Sequence, residues 1–264
     1  MKIIFGAHNA LRIISGHVRD GSAQFDATWA LKLGIKFNSF DLHRLSIGTK
    51  QQADMLRRML DTAKTQGILE HICCLDLGSI EDSRNANWAQ QLTAAIRRMP
   101  EVGYYMLGRE PNCFGITPEN YVRFQKITVP IIRAANPSAK IVMGCIGATH
   151  TTEAWDWRNS IIMADKSFDI FSFNWLGLDP FDMPSLDPSK PTWLTELGYP
   201  DVDQPHGWTT AAAVALRKGV QRIIFAPWPS GCPDHETHGI LNADGTPKQP
   251  QYDAMKLFIQ RAQK

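Results

Sequence analysis

Long apolar runs are missing from this chain. No stretch approaches the roughly 18 apolar residues needed to cross a bilayer, and the apolar start Met1–Gly6 is broken by His8, Asn9 and Arg12 before a signal-peptide core forms. The expected setting is therefore cytoplasmic, or a phage-infected host lysate, with no signal peptide evident in the chain. An excess of charge of one sign is missing too. The 28 Lys and Arg residues against 26 Asp and Glu leave a net charge of +2. No basic or acidic block stands out, which argues against nucleic acid or a membrane surface as partner. The glycine patterns that cradle phosphates are absent, as is a Gly-x-Ser-x-Gly elbow. Dinucleotide, nucleotide and serine-esterase chemistry lose their usual signatures. Cysteine is scarce and odd in number. Cys73, Cys74, Cys113, Cys145 and Cys232 include an adjacent pair, and most lie in apolar runs, so buried reduced thiols are expected over a disulfide framework.

What is present is alternation. Short apolar runs bounded by turn residues occur at Lys2–Phe5, Lys36–Asp41, His71–Leu75, Gly103–Leu107, Lys140–Gly144, Phe168–Phe173, Pro191–Thr195 and Arg222–Ala226. Between them lie amphipathic helical patterns at Gln51–Thr65, Trp88–Arg98, Pro118–Ala135, Trp155–Ala164, Thr209–Lys218 and Gln251–Gln263. Strands alternating with helices predict an α/β protein with a parallel sheet covered by helices. Eight repeats in 264 residues predict a closed (β/α)8 TIM barrel as a single domain over residues 1–264. Helix punctuation agrees at Thr117-Pro118-Glu119, with a capping threonine, proline at the first helical position and a carboxylate at the positive end.

Two acidic residues close apolar runs. Glu110 follows Val102–Gly108, and Glu196 stands in Pro191-Thr192-Trp193-Leu194-Thr195-Glu196-Leu197-Gly198. They are about three strand–helix units apart, at the fourth and seventh of eight strands. Loops that follow barrel strands build the functional face, so both carboxylates are expected on one rim. A strand-end glutamate alone is more often a surface charge; the pair at these two strands carries the weight.

With these residues in view, the chain resembles the clan A retaining glycoside hydrolases built on TIM barrels. The strand-four signature of that clan, Asn-Glu-Pro, reads Arg109-Glu110-Pro111 here, preceded by Gly108 and followed by Asn112. Its strand-seven pattern appears as Thr195-Glu196-Leu197-Gly198, and its strand-eight tryptophan as Trp228 in Ala226-Pro227-Trp228-Pro229. The stretch Gly239–Lys248 before a terminal helix is also similar. The resemblance implies cleavage of β-linked glycosides with retention, with Glu196 as nucleophile and Glu110 as acid/base. It implies an oligosaccharide or polysaccharide substrate and neither a metal nor an organic cofactor. Trp228 would floor a sugar pocket or, in the plainer reading, cap the barrel end; its bond to Pro229 is a candidate for the cis form.

The departures from the clan pattern are informative. Arg109 stands where the clan has asparagine. It packs on the outer wall, or binds an acidic substrate group, or marks a site that has lost ordinary glycosidase activity. Close to Glu110, a guanidinium would favour the ionised carboxylate, contrary to the need of a general acid. The strand-two arginine of the clan is replaced near Ser39, with Arg44 a possible substitute. On strand six, Asn174 and Trp175 replace a His-x-Tyr pattern; Asn174 is expected to hydrogen-bond a sugar or Glu196, and Trp175 to stack on a sugar. Asn112, His8 and His43 complete the expected substrate-binding set, the two histidines being about equally explained as structural. Cys232, Asp234, His235, Glu236 and His238 crowd one loop with zinc-compatible side chains, but their spacing fits no recognised ligand frame. Two other readings compete with hydrolysis: a carbohydrate-binding pseudoenzyme on the same barrel, and a transglycosylase.

Overall fold

A computed structural model of the chain describes residues 4–8, 12–15, 24–42, 50–183, 189–199, 206–226, 240–242 and 246–264. Ten strands are described: β1 (Ile4–His8), β2 (Arg12–Ser15), β3 (Gln24–Asp26), β4 (Phe37–Leu42), β5 (Glu70–Leu75), β6 (Tyr104–Met106), β7 (Lys140–Val142), β8 (Phe171–Leu176), β9 (Thr192–Gly198) and β10 (Arg222–Phe225). The helices are α1 (Thr28–Leu33), α2 (Lys50–Gln66), α3 (Gly78–Asp82), α4 (Ala86–Arg97), α5 (Pro118–Ala135), α6 (Thr152–Ala164), α7 (His206–Arg217) and α8 (Gln251–Ala262).

Eight strands form one parallel sheet in the order β7-β6-β5-β4-β1-β10-β9-β8. Its two ends meet. Val142 bridges Ile170 and Ile146 bridges Phe173, both in parallel sense, while Met143 N donates to Ile170 O and Asn174 N to Ile146 O, each at 2.9 Å. The result is the expected (β/α)8 barrel. The small antiparallel pair β2–β3, between β1 and α1, is an addition that the alternation did not announce.

Helix starts follow local chemistry. Thr117 caps α5 by accepting from Asn120 N, with Pro118 in the first turn, and Asn85 and Thr151 cap α4 and α6 in the same way. The caps satisfy amide groups that have no partner inside the helix.

Two apolar layers hold the barrel. The interior is filled by Phe37, Ile72, Cys74, Met106, Val142, Cys145, Ile170, Trp193 and Ile224. The alternate residues of the same strands face the helices, as Phe40, Cys73, Tyr105, Ile141 and Phe173 do. Side chains of a strand point to opposite faces in turn, so each strand feeds both layers. Cys73, Cys74 and Cys145 are buried free thiols as expected, whereas Cys113 is an exposed one. Cys232 lies outside the described residues.

Strand limits shift by up to three residues, among them at the sixth and seventh barrel strands. The sixth starts at Phe171, three residues later than its apolar run, because Asp169 Oδ2 accepts from Ile141 N at 2.8 Å. A side chain there takes the place of a ladder bond. The seventh runs on through Glu196 to Gly198, so Glu196 lies within a strand instead of just beyond it.

Candidate active site

Regular alternation in β9 would aim Glu196 outward. Trp193 faces the barrel interior and Leu194 the helices, which would turn Glu196 toward the helices with Leu194. An irregularity prevents this. Against β8, Phe173 pairs with Leu194 but Asn174 pairs with Glu196. Against β10, Ile223 pairs with Leu194 and Phe225 with Leu197. On both sides β9 therefore carries one residue more than its neighbour, a β-bulge at Thr195–Glu196. Such a bulge re-aims a side chain. Here it brings Glu196 to the interior face while Leu197 returns to the outer layer.

Glu110 reaches the same place from the loop after β6. Arg109 bridges Cys145, and Glu110 N donates to Cys145 O at 2.8 Å, which extends the β6–β7 pairing by a further step. Glu110 has φ +48°, in the left-handed region that a residue with a side chain seldom adopts.

Asn174, near the end of β8, joins the two carboxylates. Its Nδ2 donates to Glu110 Oε1 at 2.8 Å and to Glu196 Oε2 at 3.2 Å. The two oxygens are consequently no farther apart than the sum of these distances, about 6 Å. The amide is held the right way round by Thr195, whose hydroxyl lies 3.1 Å from Asn174 Oδ1.

Arg109 lies in this cluster, not on the outer wall. Nη1 donates to Glu196 Oε2 at 3.0 Å and Nη2 to Asp41 Oδ1 at 3.3 Å. Burial works against the charge on Arg109. The carboxylates of Glu196 and Asp41 more than offset it, and its pKa stands above the ordinary arginine value. The arginine expected to disturb Glu110 thus reaches Glu196 instead. Asp41, at the end of β4, is a site residue that the sequence reading missed. A charged residue between the apolar Phe40 and Leu42 near the end of a buried strand was the available signal.

Other expected site residues fall differently. Trp175 is buried, belongs to the outer layer and donates from Nε1 to Leu178 O. It offers no face to a sugar, because on β8 it alternates with Asn174 and points toward the helices. Asn112 engages the backbone of Gly147 with both ends of its amide, so it ties two loops together where a substrate contact was expected. Ser39 is buried. His8 ends β1. Trp228 and its bond to Pro229, His43, Arg44, and the group Cys232, Asp234, His235, Glu236 and His238 lie outside the described residues. Among the described residues, no three His, Cys, Asp or Glu side chains are grouped as metal ligands, and no helix is long and apolar enough to cross a membrane.

No protein-family model matches the chain, and no curated protein matches it. Solved structures do. A glucosidase from Croceicoccus marinus aligns with a TM-score of 0.73 at 14% identity, covering 99% of this chain and 68% of its own. A family 39 glycoside hydrolase from Bacteroides cellulosilyticus WH2 aligns at 0.69 and 15%, covering 98% of this chain and 64% of that one. A family 1 β-glucosidase from Thermotoga maritima aligns at 0.69 and 11%, covering 99% and 98%. This chain therefore spans about two thirds of the length of the first two and nearly all of the third. The chain is a (β/α)8 barrel of the architecture shared by clan A glycoside hydrolases.

Proposed function

We propose that the protein is a glycoside hydrolase that cleaves β-linked glycosides by double displacement, with Glu196 as nucleophile and Glu110 as acid/base. One observation carries this reading: a single amide group, Asn174 Nδ2, hydrogen-bonds both carboxylates and limits their facing oxygens to about 6 Å. Retaining enzymes hold their carboxyl groups about 5–5.5 Å apart, whereas inverting ones leave about 6.5–9.5 Å for a water. The spacing suits direct attack on the anomeric carbon.

In the first step a Glu196 oxygen forms an ester bond to the anomeric carbon. The glycosidic C–O bond breaks, and the leaving oxygen takes a proton from Glu110. Glu196 Oε2 accepts from both Arg109 and Asn174, which leaves Oε1 as the attacking oxygen. In the second step Glu110 takes a proton from water, the water oxygen bonds to the anomeric carbon, and the ester C–O bond breaks to release Glu196 as a carboxylate.

Arg109 supports this division of labour. Its positive charge sits on the residue whose role needs an anion. With Glu196 and Asp41 on its guanidinium, it acts on the nucleophile, and the reading favours neutral sugars over uronates or sulfated ones. Arg109, held from strand two by Asp41, supplies from strand four the cation that the clan usually carries on strand two.

The test is turnover of a panel of β-glycans and activated aryl glycosides by the protein and by Glu196→Ala and Glu110→Ala, followed by trapping with a 2-fluoro aryl glycoside. The expected results are turnover dependent on both carboxylates and a covalent sugar adduct on a Glu196 peptide. Saturable glycan binding without turnover would instead establish a carbohydrate-binding pseudoenzyme. Transfer to added sugar acceptors in place of water would establish a transglycosylase.

A further inference from the structure

Gly147 lies in the loop after β7, directly behind Glu110. A Cβ built on it would stand 2.6 Å from both Cδ and Oε1 of Glu110, and 2.7 Å from Cys113 Sγ. No side chain tolerates such contacts without movement. Gly147 is not among the glycines with positive φ, so its backbone is open to any residue. The position needs glycine for room alone.

The same glycine is gripped from the Glu110 side. Asn112 Nδ2 donates to Gly147 O at 2.9 Å, and Gly147 N donates to Asn112 Oδ1 at 3.0 Å. This reciprocal pair ties the loop after β6 to the loop after β7. It lies two residues beyond Glu110, on the far side from the Glu110 N to Cys145 O bond. Glu110 is thus pinned on both flanks, across a backbone conformation that is strained for a residue with a side chain. Its Oε1 lies between Gly147 behind and Asn174 Nδ2 in front.

We propose that Gly147 and Asn112 are positioning residues that form a socket for the Glu110 carboxyl. The missing side chain of Gly147 is the space, and the Asn112 amide fixes that space against the Glu110 loop. The proposal rests on Glu110 being the acid/base. It assigns its placement to two residues that do not touch the reacting atoms, and explains why the asparagine after Glu110-Pro111 faces backbone instead of sugar.

The experiment compares Gly147→Ala and Asn112→Ala with the unaltered protein, using aryl glycosides of the accepted sugar that differ only in leaving group. A 2,4-dinitrophenyl leaving group needs little protonation, whereas phenyl needs the acid. The expected result is a loss of kcat/KM on the phenyl glycoside of about 100-fold for Gly147→Ala and about 10-fold for Asn112→Ala, within the range for general acid catalysis. Loss on the dinitrophenyl glycoside should stay below about 5-fold in both. Where turnover depends on Glu110, equal losses on the two substrates, or none on either, overturn the socket.

A second readout needs no turnover. The 13Cδ resonance of Glu110, identified by its disappearance in Glu110→Gln, should move in both variants while the near-UV circular dichroism stays unchanged. A resonance that stays in place overturns the proposal. If Gly147→Ala does not fold, Asn112→Ala decides alone. A resonance that moves in a protein whose turnover survives Glu110→Ala would sink the acid/base assignment and leave the socket standing.

Discussion

Each end of the barrel holds an arginine, and the two are built for different purposes. At the end where strands begin, the Arg222 guanidinium lies 4.2 Å from the ring centre of Phe37, 4.3 Å from Trp193 and 4.8 Å from Tyr104, with Glu70 at 2.9 Å. Its Nη1 is buried without a hydrogen-bond partner. At the end where strands finish, Arg109 meets carboxylates instead of rings, and its side chain keeps 23% of its exposure. The first arginine closes the floor of the barrel through cation–π contact and packing. The second organises charge where a substrate could enter. Core chemistry and site chemistry are separated along the barrel axis, as the fold permits.

Substitutions at the two ends should separate activity from stability. The largest effect belongs to Glu196→Ala, which should reduce turnover by on the order of 10⁴-fold in a protein that still folds; residual activity within tenfold of the unaltered protein would end its assignment as nucleophile. Arg222→Ala should cost about 3 kcal/mol of stability through lost ring contacts and a cavity at the barrel floor. Denaturant unfolding measures this, and kcat of the folded fraction should not change. Arg109→Lys should do the reverse. A compact ammonium cannot reproduce a forked contact to Glu196 and Asp41, so kcat/KM should fall about 10- to 100-fold, roughly 1.4–2.8 kcal/mol, with a smaller change in stability than Arg222→Ala. A larger stability loss at Arg109 than at Arg222 would break the contrast.

Acid sensitivity should come from the scaffold. His71, the second residue of β5, is buried, and its pKa is pushed down to about 4, mainly by burial, with the nearby Arg57 adding to the shift and Glu101 opposing it. The folded state therefore refuses a proton that the unfolded chain accepts at its ordinary value near 6.5. Stability is complete above that pH and declines as acid is added down to about pH 4, at up to about 1.4 kcal/mol per pH unit. His71→Leu should flatten this limb in urea titrations at several pH values. The smallest effect is expected for Thr195→Val, which frees the Asn174 amide to turn. A fall in kcat/KM of about fivefold is expected, the worth of one hydrogen bond of about 1 kcal/mol, and unchanged kinetics would show that Asn174 is oriented by other contacts.

The barrel was legible because its signal is local. Eight apolar runs, each followed by a helical or loop segment, specify a parallel sheet wrapped in helices whatever their exact limits. Glu110 and Glu196 stood out as candidates for a similar reason, each lying at an apolar run of the fourth or seventh barrel strand, but the direction of Glu196 was not legible from that run. Trp175 was misread because its ring was judged by type, while its direction depends on alternation with Asn174. Asn112 was misread because an amide two residues from a carboxylate looks like a substrate ligand until the backbone of Gly147 is seen against it. Arg109 could not be placed at all from its neighbours in sequence, because Asp41 and Glu196 come from strands far away in the chain.

Composition and periodicity thus decide how many strands and helices form and which face of each is apolar, because those are properties of a few consecutive residues. They also supply the two carboxylates. Whether those carboxylates meet is settled by register between strands: one additional residue in β9, opposite both β8 and β10, turns Glu196 from the helices to the interior. That turn creates the shared contact with Asn174 and the seat for Arg109. It arises from pairing between distant segments, which no stretch of the chain encodes alone.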